Sequence, residues 1–427
     1  MNRCSVRGHS TGNVALDSPP ERRCECPMPR HPPIANHLRA SVAPDQCHHV
    51  TLREKSVLAE RTHLTPIIEK TKQGHTPPPP VPRHMNCYLP PGIAPQTEVS
   101  AMKVLIADKF QDHGVAALRD AGCSVIVKPG VKDAALAEAV RESGCNVLVV
   151  RSTKVTPDIL AASRHLELVI RAGSGYDTIA VDAATARGIR VSNCPGKNAV
   201  AVAELTIGLM IALDRRIVDE TDDLRRGVWN KKEYSKARGL KGRTLGIVGL
   251  GRIGYEVGVR AKAFDMNLIY YDVIANSKIE AELGIRRVAF ETLLAESDFV
   301  TLHVPGGAET EHLIGRNELA RMKPTAFIIN CSRGGIVDES ALAQAVQAGT
   351  IAGAALDVYE IEPGASDTEF KDPIRTVSRI YGTHHVGAST DQAQEAVAEE
   401  VVKIVRTYVE TGRVIHCVNP TEPATAT

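Results

Sequence analysis

The 427-residue sequence predicts an α/β fold in which mainly parallel sheets are covered by helices. From Met102 onward, short apolar runs of strand length alternate with helical stretches, which is typical of such sheets. A glycine-rich turn in mid-chain lies between one of these runs and a helical pattern. We therefore expect two successive α/β units after residue 101.

Composition and charge restrict the class of protein. Hydrophobic residues make up 43% of the chain, which supports a globular protein with a substantial core. No run of about 18 apolar residues predicts a transmembrane helix. The 51 basic and 50 acidic residues give a net charge of +1, so we expect neither a nucleic acid nor a membrane as partner.

Residues 1–101 have a different composition from the rest. They hold sixteen of the 25 prolines and show weak hydrophobic periodicity, so we expect a disordered Pro-rich extension and a natural start at Met102. They resemble neither a signal peptide nor a transit peptide. The motifs Cys24-Glu25-Cys26 and Cys47-His48-His49 fit no common zinc-finger spacing, and we expect no metal site.

The remaining cysteines are scattered and mostly lie in apolar surroundings, as in reduced cytosolic proteins. They are Cys123, Cys145, Cys194, Cys331 and Cys417. We therefore expect a cytoplasmic protein.

The apolar run 102–108 predicts the first buried strand. Further strands of the first unit are predicted at 125–127, 146–150, 166–170 and 189–192, with helices at 134–141 and 156–162. A long apolar-periodic helix is predicted over 199–226. A strand at 244–248 opens the second unit, which runs to about residue 383, and a final helix is predicted at 390–410.

The glycine-rich turn has the pattern G-x-G-x-x-G at Gly249, Gly251 and Gly254. The first glycine permits a tight turn, the second lets the backbone approach a pyrophosphate, and the third lets the following helix, predicted at 253–264, pack against the strand. That helix offers free N–H groups to phosphates. Asp272 follows the predicted strand 267–271, where it could accept hydrogen bonds from ribose hydroxyls and repel a 2′-phosphate. The pattern predicts NAD as cofactor.

Three later side chains have the chemistry that hydride transfer from a hydroxy acid requires. A base, usually His, takes the hydroxyl proton. A carboxylate orients that base, and an Arg holds the substrate carboxylate. Arg333, Glu362 and His385 each lie in a loop after a predicted strand, at 326–331, 354–358 and 379–382. Because ligands of open α/β sheets bind at the carboxyl ends of strands, we expect the three to converge.

These motifs and the loop Arg171–Asp177 resemble the D-isomer-specific 2-hydroxyacid dehydrogenase family over residues 102–420. The resemblance implies two Rossmann-like doubly wound domains. An NAD-binding domain, 201–384, is inserted into a discontinuous substrate domain, 102–200 and 385–420. The resemblance also implies that the protein is an NAD-dependent oxidoreductase that uses a small-molecule 2-hydroxy or 2-keto acid.

The resemblance further implies roles for individual residues. Arg333 binds the substrate carboxylate, His385 is the acid/base and Glu362 is its partner. Arg151, Arg171, Asn198 and Gly173, the last through backbone N–H groups, are expected to bind substrate. Beyond the glycines and Asp272, the expected NAD contacts are Ser174, Arg252, Ile253, Val304, Pro305, Thr310, Cys331, Ser332, Asp357, Gly387 and Ala388.

The chain departs from the family where Pro usually precedes the catalytic His, because His384 stands there. The pattern His-x-Gly-Ala-Ser-Thr favours His385 as the base, with His384 as the alternative. His303 is interpreted as structural.

Among the family's branches, the segments 150–156, 171–173 and 193–198 are most similar to D-3-phosphoglycerate dehydrogenases. We therefore expect 3-phospho-D-glycerate as substrate and a role in serine biosynthesis. Cations for the phosphate could come from Arg151, Lys154, Arg171 and Lys197. The chain ends soon after Pro420, so we expect no C-terminal regulatory domain.

Two alternatives remain open. One is a hydroxypyruvate or glyoxylate reductase, and the other is a non-enzymatic NAD-sensing scaffold similar to the C-terminal-binding corepressors. In the family, the helix after residue 199 and the arm Gly227–Lys232 build a two-fold dimer, so we expect a homodimer. Trp229, the single tryptophan, is a candidate interface anchor, and the alternative is packing within its own subunit.

Overall fold

The structure, a computed structural model, describes residues 101–363 and 368–420. The predicted N-terminal extension and its two Cys-containing motifs lie outside these residues. Within the described residues, each helix is too short or too polar to span a bilayer.

The first sheet has five parallel strands in the order β2-β1-β3-β4-β5. Its strands are β1 Lys103–Ile106, β2 Ser124–Val127, β3 Val147–Val150, β4 Leu168–Arg171 and β5 Arg190–Asn193. The helices between them are α1 Asp112–Asp120, α2 Asp133–Ser143, α3 Pro157–Ala161 and α4 Val181–Ala186. The central strands are short apolar runs because both faces of the sheet are covered.

Three helices then lead to the second unit: α5 Ala199–Arg215, α6 Ile217–Arg225 and α7 Lys231–Tyr234. The second sheet has seven parallel strands in the order β12-β11-β10-β9-β6-β7-β8. Its strands are β6 Thr244–Val248, β7 Asn267–Tyr271, β8 Arg286–Arg287, β9 Phe299–Leu302, β10 Phe327–Asn330, β11 Gly353–Leu356 and β12 Ile380–Gly382. Its helices are α8 Arg252–Ala263, α9 Ser277–Leu283, α10 Phe290–Glu296, α11 Arg316–Arg321 and α12 Glu339–Gln347, with a 3-10 turn at Pro373–Thr376.

The last helix, α13 Asp391–Thr411, returns to the first sheet. Its buried face places Val397, Val401 and Val405 in one core cluster with Val104 and Ile106 of β1. The second sheet is therefore inserted between two parts of the chain that share a core. This confirms the predicted fold class, whereas the domain bounds stay predictions.

The strands and helices predicted individually lie within two residues of the observed ones, with one exception. The single helix predicted over 199–226 is wrong, because Arg216 adopts a left-handed conformation with φ 55° and separates α5 from α6. The guanidinium of Arg216 pairs with Asp219 at 2.9 Å and with Glu233 at 2.7 Å, and it lies 5.0 Å from the ring centre of Tyr234. Apolar periodicity could not reveal this break, since the contacts come from residues up to 17 positions away.

The core of the second sheet yields a stability prediction. Phe299 is fully buried and stacks on Phe327, with ring centres 5.4 Å apart. We expect Phe299→Ala to lower the free energy of unfolding by about 3–5 kcal/mol, because it removes apolar contacts and leaves a cavity. Denaturant unfolding measures this loss. Phe264→Ala is the matched control, since Phe264 is 42% exposed, and equal losses in the two variants would contradict the assigned packing.

Candidate active site

The predicted cofactor and catalytic residues gather along the carboxyl edge of the second sheet. The glycine turn follows β6, Asp272 follows β7, Val304 and Pro305 follow β9, and Arg333 follows β10. Asp357 and Glu362 come after β11, and His385 comes after β12. Because all the strands are parallel, these loops meet at one edge, where α/β sheets bind ligands.

The glycine turn has the geometry of a dinucleotide cradle. Gly249 has φ 92°, a left-handed conformation that favours glycine, and its N–H donates to the carbonyl of Tyr271 at 2.9 Å. A Cβ on Gly254 would lie 2.2 Å from the carbonyl oxygen of Gly249, so only glycine lets α8 approach the turn. A Cβ on Gly251 would meet no atom within 4 Å, which leaves open space before the first turn of α8 for a phosphate.

A cavity of about 610 Å³ opens beside this turn, and Gly251, Arg252 and Asn276 contribute to its lining. Asp272 accepts a hydrogen bond from the Leu250 N–H at 2.7 Å through one carboxylate oxygen. Its other oxygen accepts from the Ile274 N–H at 3.0 Å. These bonds hold the carboxylate at the edge of the cradle, so the residues present fit an NAD molecule.

His385 and Glu362 form a direct pair. Nδ1 of His385 lies 2.8 Å from Oε2 of Glu362. The hydrogen bond that the Glu362 carboxylate accepts raises the pKa of His385 above its ordinary value, and burial and the nearby charge of Arg333 oppose this rise. His385 also has φ 52°, which is uncommon for a residue with a side chain and points to a functional constraint. The pair has the arrangement of a general base with its orienting carboxylate.

Asp357 organises the loop that carries His385. Its buried carboxylate accepts hydrogen bonds from the Val386 N–H at 2.9 Å and the Gly387 N–H at 2.8 Å. The Thr383 hydroxyl donates to it as well, at 2.6 Å. Sequence reasoning missed this positioning role of Asp357, and its expected contact with the cofactor stays a prediction.

Arg333 reaches across to the loop that follows β4. Its Nη2 lies 3.1 Å from Oδ1 of Asp177. Burial raises the pKa of Asp177, but the charge of Arg333, the hydrogen bonds that the carboxylate accepts and the charge of Arg171 together lower it below its ordinary value. A Cβ on Gly175 would lie 1.7 Å from Nη2 of Arg333, so a side chain at this position would displace the guanidinium from its observed place. Asp177 is therefore an anion already held by Arg333, a contact that the sequence did not reveal.

Two further arginines belong to the same region. Burial lowers the pKa of Arg171, and the charges of Arg333 and Arg151 lower it further, so the three cations lie close together. The Nε of Arg171 is buried without a hydrogen-bond partner among the described residues. Arg151 donates to Ser389 at 3.2 Å. Asp177 lies beside Arg333 and Asp108 beside Arg151, so the three guanidinium groups still leave an excess of positive charge that suits an anionic substrate.

Asp108 fixes the position of Arg151 and was not predicted as a site residue. It follows β1, and its Oδ2 accepts hydrogen bonds from the N–H groups of Arg151, Ser152 and Thr153 at 2.6–3.3 Å. A carboxylate at the carboxyl end of a buried strand is the signal that could have identified it.

The loop after β4 contains the remaining substrate candidates. The Gly173 N–H donates to the Arg171 carbonyl at 2.8 Å and is not free for a substrate carboxylate. The Ser174 hydroxyl donates to Oδ1 of Asn198 at 2.6 Å and accepts from the Gly196 N–H at 3.2 Å. Ser174 and Asn198 therefore form one polar cluster beside the cavity.

The other predicted cofactor contacts lie in the same loops with different degrees of exposure. Cys331 and Ser332 are buried, and the Ser332 hydroxyl donates to Asn330 at 2.8 Å. The Thr310 hydroxyl donates to the Pro305 carbonyl at 2.7 Å. Gly387 is buried as well, whereas Ile253, Val304 and Ala388 are partly exposed.

Two histidines and a lysine complete the comparison with the sequence. Burial lowers the pKa of His303 to about 3, and its Nε2 lies 2.9 Å from the Thr301 hydroxyl, which agrees with a structural role. His384 is exposed. Lys197 was expected as a cation for substrate, but its Nζ lies 3.0 Å from the buried carboxylate of Glu400, which also pairs with Lys403 and His416.

Comparison with known proteins identifies the relatives of this chain. Residues 207–387 match the family model described as D-isomer specific 2-hydroxyacid dehydrogenase, NAD binding domain. D-3-phosphoglycerate dehydrogenase of Methanocaldococcus jannaschii is 43% identical over 311 residues, which are 71% of this chain and 58% of that protein. The chain thus spans little more than half the length of this relative. Hydroxypyruvate reductase of Thermotoga maritima is 45% identical over 259 residues, which are 60% of this chain and 83% of that protein.

A solved structure of a dehydrogenase is also similar to this chain. D-lactate dehydrogenase of Aquifex aeolicus, solved with NAD and lactic acid, aligns with a TM-score of 0.65 and 28% identity. The alignment covers 75% of this chain and all of that one. Together with the glycine cradle and the His385–Glu362 pair, these matches show that the chain belongs to the D-isomer-specific 2-hydroxyacid dehydrogenase family and carries its NAD-binding domain.

Proposed function

We propose that this chain is an NAD-dependent oxidoreductase that interconverts a D-2-hydroxy acid and its 2-keto acid, with 3-phospho-D-glycerate as the substrate and serine biosynthesis as the pathway. The observation that carries the proposal is the His385–Glu362 pair, 2.8 Å apart, on the same sheet edge as the glycine cradle and Arg333. NAD, when bound, accepts or returns the hydride.

The residues of the chain account for the proton and the substrate charge. In the oxidative direction, neutral His385 takes the hydroxyl proton, and Glu362 stabilises the imidazolium that results. In the reverse direction, the protonated ring returns that proton to the carbonyl oxygen. Arg333 exchanges Asp177 for the substrate carboxylate, since guanidinium binds carboxylate through paired donors.

The remaining cations support a phosphorylated substrate. Arg333 alone is enough to bind the substrate carboxylate. Arg151 and Arg171 are two further cations in the same region. A phosphate group carries nearly two negative charges at neutral pH and would match this surplus. Several relatives named D-3-phosphoglycerate dehydrogenase agree with this choice.

A reductase of smaller acids is the second candidate. Relatives named hydroxypyruvate reductase and glyoxylate reductase are 45% and 44% identical, and the matches cover 83% and 81% of their lengths. A scaffold without turnover is less well supported, because it would not require the paired His385 and Glu362.

A substrate panel tests the proposed activity. NADH formation is measured with 3-phosphoglycerate, D-glycerate, glycolate and D-lactate, for the full chain and for Arg333→Ala. We expect kcat/KM to be highest for 3-phosphoglycerate and to fall about a hundredfold or more in the variant, because paired charged hydrogen bonds are lost. Preference for glycerate or glycolate would favour the reductase. Unchanged activity in Arg333→Ala would remove Arg333 from its role.

The pH dependence tests the identity of the base. Oxidation needs neutral His385, so its rate rises as pH increases through the pKa of this residue, which Glu362 raises above 6.5. We expect Glu362→Gln to shift this rise in the kcat/KM profile to lower pH. His384→Gln is the control and should leave the profile in place. A profile that moves only in the control would assign the base to His384.

We also propose that the protein is cytoplasmic and forms a homodimer. The thiols of Cys123, Cys145, Cys194, Cys331 and Cys417 are free, which suits a reducing compartment. The α6 helix and the arm after it expose a row of apolar side chains: Ile217, Val218, Leu224, Val228 and Trp229. Trp229 is 78% exposed, which argues against packing within its own subunit and supports an interface anchor.

Light scattering after size-exclusion chromatography tests this dimer. We expect the mass of two chains for the native protein. Trp229→Ala should weaken association by about thirtyfold or more, because a central Trp contributes about 2 kcal/mol or more to such interfaces. Val409→Ala, at an exposed apolar position on α13, should have no effect. A monomeric native protein would contradict the proposal.

A further inference from the structure

A second basic cavity lies at the opposite edge of the seven-stranded sheet. It has a volume of about 240 Å³ and lies where four strands begin. Arg243 precedes β6, Phe327 opens β10, Ala352 precedes β11 and Arg379 precedes β12. The catalytic candidates lie at the carboxyl ends of these strands, so this cavity is separate from the proposed active site.

The lining of this cavity, called here the amino-edge cavity, is strongly cationic. Six basic side chains contribute to it but only two carboxylates: Arg215, Arg216, Lys236, Arg238, Arg243 and Arg379 against Asp214 and Glu233. Asp214 pairs with Arg243, and Glu233 pairs with Arg216 and Lys236. Two carboxylates outside the lining also pair with its cations: Asp219 with Arg216, and Asp298 with Arg238 and Arg243. Neither Arg215 nor Arg379 has a carboxylate partner in the described part of the chain, so a surplus of positive charge remains.

Arg243 shows that this surplus includes unused hydrogen-bond donors. It is only 6% exposed, and its Nη1 donates to Asp214 at 2.8 Å. Its Nη2 is buried and has no hydrogen-bond partner within the described residues, whereas its Nε lies 3.8 Å from the carboxylate of Asp298. A buried donor without an acceptor is costly, and a ligand with negative oxygens would satisfy the Nη2 group.

Arg379 provides an independent indication. Its Nε is also buried and without a partner in the described ranges. Its backbone has φ 71°, a left-handed conformation that glycine and asparagine adopt far more readily than arginine. Non-glycine residues held in this conformation are found at functional sites, where the surrounding structure compensates for the strain.

The size and charge of the amino-edge cavity define its ligand. A volume of about 240 Å³ is below the range of roughly 300–1,000 Å³ that is common for pockets of drug-sized ligands, so a dinucleotide would not fit. Guanidinium groups bind phosphate oxygens through paired donors. We propose that the amino-edge cavity binds a small phosphate-type dianion, through Arg243 and Arg379, at a site independent of the catalytic reaction.

The segment from α6 to α7, which includes the arm Gly227–Lys232, contacts the amino-edge cavity and would be stabilised by such a ligand. Arg216 lines the cavity and pairs with Glu233 of α7, and Tyr234 donates a hydrogen bond to Asp223 of α6 at 2.6 Å. These contacts connect the cavity to the segment that carries Trp229. Bound phosphate would therefore stabilise the same arm that we propose for dimer formation.

Isothermal titration of the full chain with inorganic phosphate, at constant ionic strength, tests the site. The key variant is Arg379→Asn, which removes the guanidinium but suits the left-handed backbone. We expect it to weaken phosphate binding about tenfold or more, because charged hydrogen bonds are lost. Arg375→Asn is the matched control, since Arg375 is exposed four residues away and does not line the cavity. It should bind phosphate like the native protein.

Two further measurements distinguish this site from the proposed active site. Arg333→Ala should keep the phosphate binding while losing turnover, whereas Arg379→Asn should keep turnover. Arg215→Gln, an exposed change in the lining, should also weaken binding if Arg379→Asn fails to fold. Equal phosphate affinity in the native protein and in both cavity variants would overturn the proposal. So would loss of binding in Arg333→Ala alone, or acetate binding as tightly as phosphate.

Discussion

The carboxylate of Asp357 determines where the candidate base lies. It is almost fully buried at the end of β11 and accepts three hydrogen bonds from the segment after β12. Each hydrogen bond to a charged group contributes about 1.5–3 kcal/mol, which is enough to hold a residue in a left-handed conformation. His385 is held in this way, within hydrogen-bond distance of Glu362. The pair therefore depends on a residue that need not touch the substrate.

A similar dependence exists on the side of the first sheet. Asp108 follows β1 and accepts hydrogen bonds from the N–H groups of three successive residues, beginning with Arg151. Arg151 in turn contacts Ser389, which lies four residues beyond His385. Two buried strand ends thus place a cation and a base toward each other, although they belong to different sheets.

The two edges of the seven-stranded sheet use arginine differently. At the carboxyl edge, Arg333 is exposed enough to exchange one anion for another and is paired with Asp177. At the amino edge, Arg243 is buried and stacks 4.2 Å above the ring of Phe299, so it cannot rearrange without disturbing the core. The first arrangement suits a substrate that must leave, and the second suits a ligand that is held.

The sequence by itself determined the fold class, the glycine cradle and the three catalytic candidates, because these depend on local patterns: apolar runs of strand length, glycine spacing and polar residues directly after strands. The tertiary structure decided what depends on distant partners. The break at Arg216, the pairing of Lys197 with Glu400 and the role of Asp357 all come from contacts between residues far apart in the chain. The amino-edge cavity has the same origin, since its arginines precede different strands and meet only when the parallel sheet forms.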